Sequence, residues 1–391
     1  MNQGAPPRIV GVDVARALAV LGMFAAHVAD RDVWRLPNGA SGFEAFDGRS
    51  SAGFALLAGA SAALLSGGSR PVTGPRMTHA RVRVLARAAL LWPLGLAMIA
   101  LRTPVAVILP HYALLFAITA AFLSLRPRTL AVIGTAIAVA APPAVERARE
   151  LTPADAVSSS DLPATGLSDL LIGPHYPAAI WLAYLLVGLA VGRLDLGSRR
   201  VCTRMLVLGV AGAAVGLVTN AVAMRLLPPE RTLWRAMLTT RPHASSPIEL
   251  LANIGVVVAV LALCLLLANR FGRAVAPLAA TGAFALTAYC GHIVAIATIG
   301  GSIWARPDSW LLVRFVVVTV AVAWAWRHFL GRGPLELVLS MESTIAADRI
   351  VPAGRRDATP VPSAQAPADT PADGVHEDAG LSRATTGAAS T

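Results

Sequence analysis

Apolar runs alternate with short polar connections along almost the whole chain. Ten runs are about 17–25 residues long, enough to cross a bilayer as helices. They fall near 11–29, 51–68, 82–101, 106–125, 129–145, 177–194, 203–224, 248–269, 277–299 and 309–329. A span in lipid must satisfy its own backbone hydrogen bonds, so helix is the expected form. The pattern predicts an all-α polytopic bundle of about ten transmembrane helices over residues 1–345. A further short helix is expected in "GPLELVLSMESTIAA", starting at Pro334, because proline suits a first helical turn. Residues 346–391, rich in Pro, Ala and Asp, predict a disordered cytoplasmic tail. Two longer connections, 146–176 and 225–247, are expected to fold over one mouth of the bundle.

Composition agrees with the pattern. Of 391 residues, 55% are hydrophobic and 14% charged, against roughly 25% charged in soluble domains. The mean hydropathy is +0.63. The first apolar run lacks a small-residue cleavage site and is expected to be a retained span. All 33 basic residues are Arg, and the net charge is +11. In a membrane chain this charge sets topology and is not expected to bind nucleic acid. Arginines such as Arg70, Arg126, Arg128, Arg199, Arg270 and Arg332 recur in alternate loops. Those loops should be cytoplasmic, as should both termini, in a bacterial inner membrane. Cys202, Cys264 and Cys290 have no CxxC spacing and read as buried small hydrophobes.

The first run, "RIVGVDVARALAVLGMFAAHVAD", carries Asp13, Arg16 and His27. Ionisable groups within a span are costly and mark function. Arg16 and His27 are eleven residues, about three turns and 16 Å, apart on one face. Asp13 lies three residues before Arg16 and can pair with it. The stripe Asp13, Arg16, Val20, Met23, His27 is thus a polar line on an apolar cylinder. Its plainer reading is an Arg that snorkels and a His at the interface. Its functional reading places a titratable base at the outer end.

"VDVARALAVLGMFAAH" resembles the first helix of the membrane acyltransferase-3 family in its Arg-x10-His spacing. The wider stretch is similar to bacterial heparan-α-glucosaminide N-acetyltransferase-like proteins, whose first helix reads D-x-x-R-G-x-A-x-x-G-M. "DGRSSAGFALLAGASAALLSGG", "PHYALLFAI" and "YPAAIWLAYLLVGLAVGRLDL" resemble their second, fourth and sixth helices. "LTAYCGH" and "GRGPLELVL" resemble the C-terminal half of the YeiB-like family, domain of unknown function 418. The similarity covers roughly residues 8–340. The family's Gly after the Arg is Ala17 here. The loop histidine of the eukaryotic acetyltransferases has no counterpart between His27 and His79.

The resemblance implies a membrane-embedded acyltransferase. It would move an acyl group, acetyl foremost, from cytoplasmic acyl-CoA to an envelope carbohydrate or glycolipid. Acyl-CoA, as acetyl-CoA, is then a co-substrate, and no bound cofactor is expected. Arg16 and His27 take the family's functional roles. Asp13 fixes Arg16, and His27 is the base. Asp47 and Arg49, in the loop after the first run, could orient His27 or stabilise charge. Arg81, Arg83 and Arg87 could meet CoA phosphates, although topology alone also accounts for them.

His111, Tyr112, His175, Tyr176, Asn253, Tyr289 and His292 are further polar groups in or beside the spans. Each alone suits a helix–helix hydrogen bond or an interface anchor; beside that reading, His111, Tyr112 and Tyr289 are candidate substrate-binding residues. His292, well inside a run, is the second candidate for the catalytic base. The dispersed histidines show no HxxxH-type spacing, so no metal is expected. No Walker sequence is present, which argues against an ATP-driven pump. "GLAVG" at 188–192 is a small-xxx-small helix-packing pattern. The competing function is a transporter or exporter of a small organic or lipid molecule, although no matching pair of interrupted helices is visible. The bilayer is a partner in either case, and a second copy, as a homodimer, is a further candidate.

Overall fold

The computed structural model describes residues 8–36, 39, 41–152, 166–301, 303, 308 and 310–352. Every regular element among them is helical. In order these are α1 (Val10–Val28), a 3-10 turn (Gly42–Ala45), α2 (Arg49–Leu65), α3 (Gly74–Ile99), α4 (Leu109–Phe122) and α5 (Pro127–Leu151). Then come α6 (Leu167–Ile172), α7 (Ala178–Gly192), α8 (Arg199–Leu226), α9 (Thr232–Met237) and α10 (Pro247–Phe271). The chain continues with α11 (Ala276–Ala283), α12 (Ala285–Ile299), α13 (Leu311–Phe329) and α14 (Pro334–Ile350). Each of the ten apolar runs is helical. Among the described residues six helices are long and apolar enough to cross a membrane, or seven if one bent pair counts as a span. These long apolar helices are those of a membrane-embedded protein.

Proline opens several helices in the first turn, at Pro75, Pro110, Pro127, Pro247, Pro277 and Pro334, where no backbone N–H is needed. Three boundaries differ from the sequence reading. α5 runs on to Leu151, carrying Pro142 and Pro143 inside it. The run 277–299 is two helices, α11 and α12, bent by 75° at Phe284. α14 ends at Ile350, so the first five residues of the expected tail, 346–350, are helical. The rest of the tail, from 353, lies outside the described residues, as does 153–165 of the first long connection.

Glycines bring the central helices close. A methyl group at Gly188 would collide with the carbonyl of Leu56, and one at Gly59 with the carbonyl of Leu185. The GLAVG pattern therefore seats α7 directly on α2, as small residues do between membrane helices. Gly282 of α11 likewise meets the Asp13 carbonyl of α1. The main core lies around α1, α4, α7 and α12, with Phe24, Leu115, Leu185 and Ile293 fully enclosed. All three cysteines are buried and free.

Arg193, at the end of α7, is 4% exposed. It donates to the carbonyls of Ala63 (3.0 Å), Ser66 (3.2 Å) and Gly68 (2.9 Å), to Ser66 Oγ (2.8 Å), and to the carbonyl of Leu123. The C-terminal ends of α2, α4 and α7 thus converge on one guanidinium. A helix C-terminus carries partial negative charge on unpaired carbonyls. Arg193→Met should strip those carbonyls of their donor. Breaking a buried charge–dipole set of this kind costs about 3–5 kcal/mol. The expected outcome is a sharp fall in the melting temperature of detergent-purified protein. Arg193→Lys should recover part of it, because an ammonium reaches fewer carbonyls.

Candidate functional site

Asp13 and Arg16 pair as their spacing predicts. Arg16 Nη1 lies 2.7 Å from Asp13 Oδ1 and donates to the carbonyl of Gly282, and Nη2 donates to Ser61 Oγ at 3.0 Å. Arg8 binds the other oxygen of the carboxylate. Asp13 is buried, so it carries two cations and fixes Arg16 between α1, α2 and α11. Arg87 of α3 is close enough to Arg16, Arg83 and Arg332 for their charges to interact. Arg87 Nε also approaches Ser343 of α14 at 3.4 Å. Arg83 Nε is enclosed without a hydrogen-bond partner among the described residues. Arg81 turns toward α4 instead and donates to Ser124 Oγ at 3.1 Å.

His27, at the far end of α1, meets His292 of α12. Its Nδ1 is 3.0 Å from His292 Nε2, and the rings are stacked with centroids 5.3 Å apart. The two histidines weighed as alternatives are therefore one pair. His292 Nδ1 contacts the carbonyl of Tyr289. A carbonyl only accepts, so that nitrogen carries hydrogen. In a neutral ring His292 Nε2 is then an acceptor, and His27 Nδ1–H must donate to it. The neutral His27 that results exposes an unprotonated Nε2, a general base held in one tautomer by its neighbour.

Arg16 and His27 do not meet. Val20 and Met23, between them on the stripe, are 0% and 2% exposed. Asp47 binds Arg31 through both oxygens, at 2.8 and 3.0 Å, and its charge acts on His27. Arg49 does not join the pair. It donates to the carbonyl of Ala45 at 3.1 Å and faces a groove on the opposite side of α1.

Other polar side chains gather at the His27 end. His111 packs edge-on to Tyr176, which lies 5.6 Å, between centroids, from His243. His243 lies 6.1 Å from His175, and its charge reaches His27. Tyr289 accepts from Ile108 N–H at 3.2 Å, and Tyr112 donates to the Ser51 carbonyl at 3.4 Å. Burial pushes the Tyr176 phenol up to about 12. Burial also holds His175 and His243 below their ordinary value of 6.5. Five of the eight histidines in the chain therefore contribute to one end of the bundle. No group of three His, Cys, Asp or Glu residues among the described ones is placed to hold a metal ion.

Sequence reasoning passed over Glu249 and His243. Glu249 is buried and accepts from His243 N–H (3.0 Å), Ser245 N–H (2.6 Å) and Asn253 Nδ2 (3.4 Å). Asn253 also donates to the Tyr184 hydroxyl at 3.2 Å. Ser246 caps the same helix by accepting from Glu249 N–H at 3.0 Å. The local signal was present: Ser246-Pro-Ile-Glu249 has the spacing of a capped helix start.

Compared with known protein families and with curated proteins, the chain finds no match.

The histidines outside the spans set a pH dependence. A half-buried His243 with a lowered folded-state value binds fewer protons than the unfolded chain near pH 6. Stability therefore rises with pH in that window and is lost as pH falls from 6.5 toward the folded value. Melting temperatures of the purified protein should drop on acidification below about 6.5. His243→Gln should flatten that profile.

Proposed function

We propose that this protein is a membrane-embedded acyltransferase. It moves an acyl group, acetyl foremost, from cytoplasmic acyl-CoA to an envelope sugar or glycolipid. It belongs in a bacterial inner membrane with about ten spans and both termini in the cytoplasm. The observation that carries the reading is the carbonyl–His292–His27 relay at the end of α1 opposite Arg16. The resemblance of the first helix to acyltransferase-3 and glucosaminide acetyltransferase-like proteins supports it.

The chemistry is a direct transfer. His27 Nε2 takes the proton of an acceptor hydroxyl or amine as the acceptor atom attacks the thioester carbonyl. A tetrahedral oxyanion forms, the carbon–sulfur bond breaks, and the thiolate leaves with the proton from His27. Asp47 stabilises the intervening imidazolium by its charge. At the other end Arg16, Arg83 and Arg87 supply guanidinium groups for the donor's phosphates. Arg81 sits apart on the α4 side and serves topology. For donor and base to meet, the packed stripe must open at Met23, a side chain flexible enough to do so.

A transporter is the second reading. The 75° break between α11 and α12 favours it, because interrupted helices line substrate paths.

Mass spectrometry of envelope glycans and lipids, with and without the gene, separates the two. Loss of an acyl modification supports the enzyme, and unchanged acylation overturns it. His27→Ala should lower transfer by about 10²–10⁴ with protein abundance kept. His292→Ala should lower it less and shift its pH profile, since His292 acts through His27. Arg16→Lys should also fail, because an ammonium cannot hold Asp13, Ser61 and the Gly282 carbonyl together.

A further inference from the structure

One cavity lies away from the His27 face. It is a groove of about 450 Å³ on the opposite side of α1, within the range of ligand sites, about 300–1,000 Å³. Its floor is made of small residues: Ala15, Ala19, Gly22 and Ala25 of α1 with Gly53 of α2. Val257 of α10 forms one wall, and Leu312 and Val316 of α13 form the other. Phe43 and Phe46, around the 3-10 turn, close the end nearest His27. From Ala15 to Ala25 the floor runs about 15 Å, at 1.5 Å per residue.

The lining is almost wholly apolar, with one charged group. Arg49 sits at the closed end. Among the described residues its one side-chain hydrogen bond is to the Ala45 carbonyl. Nearby carboxylates hydrogen-bond elsewhere: Asp47 to Arg31, and Glu249 to two backbone N–H groups and Asn253, although the charge of Glu249 reaches Arg49. The guanidinium therefore keeps N–H groups that a ligand can take up. Leu18, on the rim, is 41% exposed, so the groove opens sideways, where a membrane helix meets lipid. A helix, about 10–12 Å across, is too wide for this volume over that length. A single alkyl chain fits.

We infer that the groove over α1 holds one acyl chain of an anionic lipid, with its headgroup on Arg49. Resting on the acyltransferase reading, this makes the acceptor a lipid-anchored molecule. The chain would lie along α1, and the headgroup would emerge at the end where Asp47 adjoins His27. The groove then selects the acceptor by its anchor and charge, while the histidine pair does the chemistry.

The test is lipid binding without any acyl donor. The full-length protein, purified in detergent, is titrated with phosphatidylglycerol or phosphatidylcholine and read by native mass spectrometry. Wild type should retain one phosphatidylglycerol in preference to phosphatidylcholine. Arg49→Gln should weaken phosphatidylglycerol about five-fold and leave phosphatidylcholine unchanged. Val316→Trp, which fills the groove, should weaken retention on the order of ten-fold or more. Val313→Trp, on the exposed face of the same helix, should match wild type and serves as the control for folding. Equal retention in the two Trp variants, or no preference for the anionic lipid, means surface lipid only and overturns the site. An active transferase with that result loses the groove alone. A protein that binds lipid at the groove but transfers nothing loses the acyltransferase reading alone.

Discussion

A charge enclosed by apolar helices must be balanced within a few ångströms, and in this bundle helix ends do much of that work. Arg193 has no carboxylate partner among the described residues; its hydrogen bonds go to carbonyls at the ends of α2 and α4 and to Ser66 Oγ. Glu336 is the mirror image. Its carboxylate accepts from the N–H groups of Leu286 (2.7 Å) and Thr287 (3.1 Å) and from the Thr287 hydroxyl, at the start of α12. Glu249 does the same for the turn leading into α10. Fixed dipoles thus set where charge can sit, and the close glycine contacts of α2, α7 and α11 keep those dipoles in place.

The same logic shapes the two ends of α1. At one end a single buried carboxylate, Asp13, holds two arginines, and further guanidinium groups lie nearby, a surplus of positive charge suited to an anion. At the other end histidines and tyrosines predominate. Their hydrogen bonds are directional, and the chain of carbonyl, His292 and His27 sets where the proton resides. Between them lies a dry segment of packed side chains. The molecule therefore separates a cationic pole from a proton-handling pole along one helix.

Much of this was legible in the sequence. The runs 203–224 and 248–269 match Arg199–Leu226 and Pro247–Phe271 closely, because hydropathy reports the length of an apolar helix directly. The Asp13–Arg16 pair was legible because it depends only on helical spacing. The joining of His27 to His292 was not, because it spans 265 positions and depends on how α12 packs. The break at Phe284 was hidden for another reason. Hydropathy does not change across it, and what permits the bend is an acid fifty positions downstream. Arg193 looked like any other arginine at the end of a span, since its role lies in three helix ends that only the fold brings together.

The bond between Glu336 and the start of α12 bears on how the chain is made. The N–H groups of Leu286 and Thr287 leave the ribosome about fifty residues before the side chain that satisfies them. Until α14 is synthesised, the second half of the broken helix has an uncapped end within the bundle. α14 is thus a late clasp on a segment already inserted, and a nascent chain released before Glu336 would present His292 on a helix not yet anchored. Biogenesis of the site is therefore completed from α14, long after Asp13 has been made.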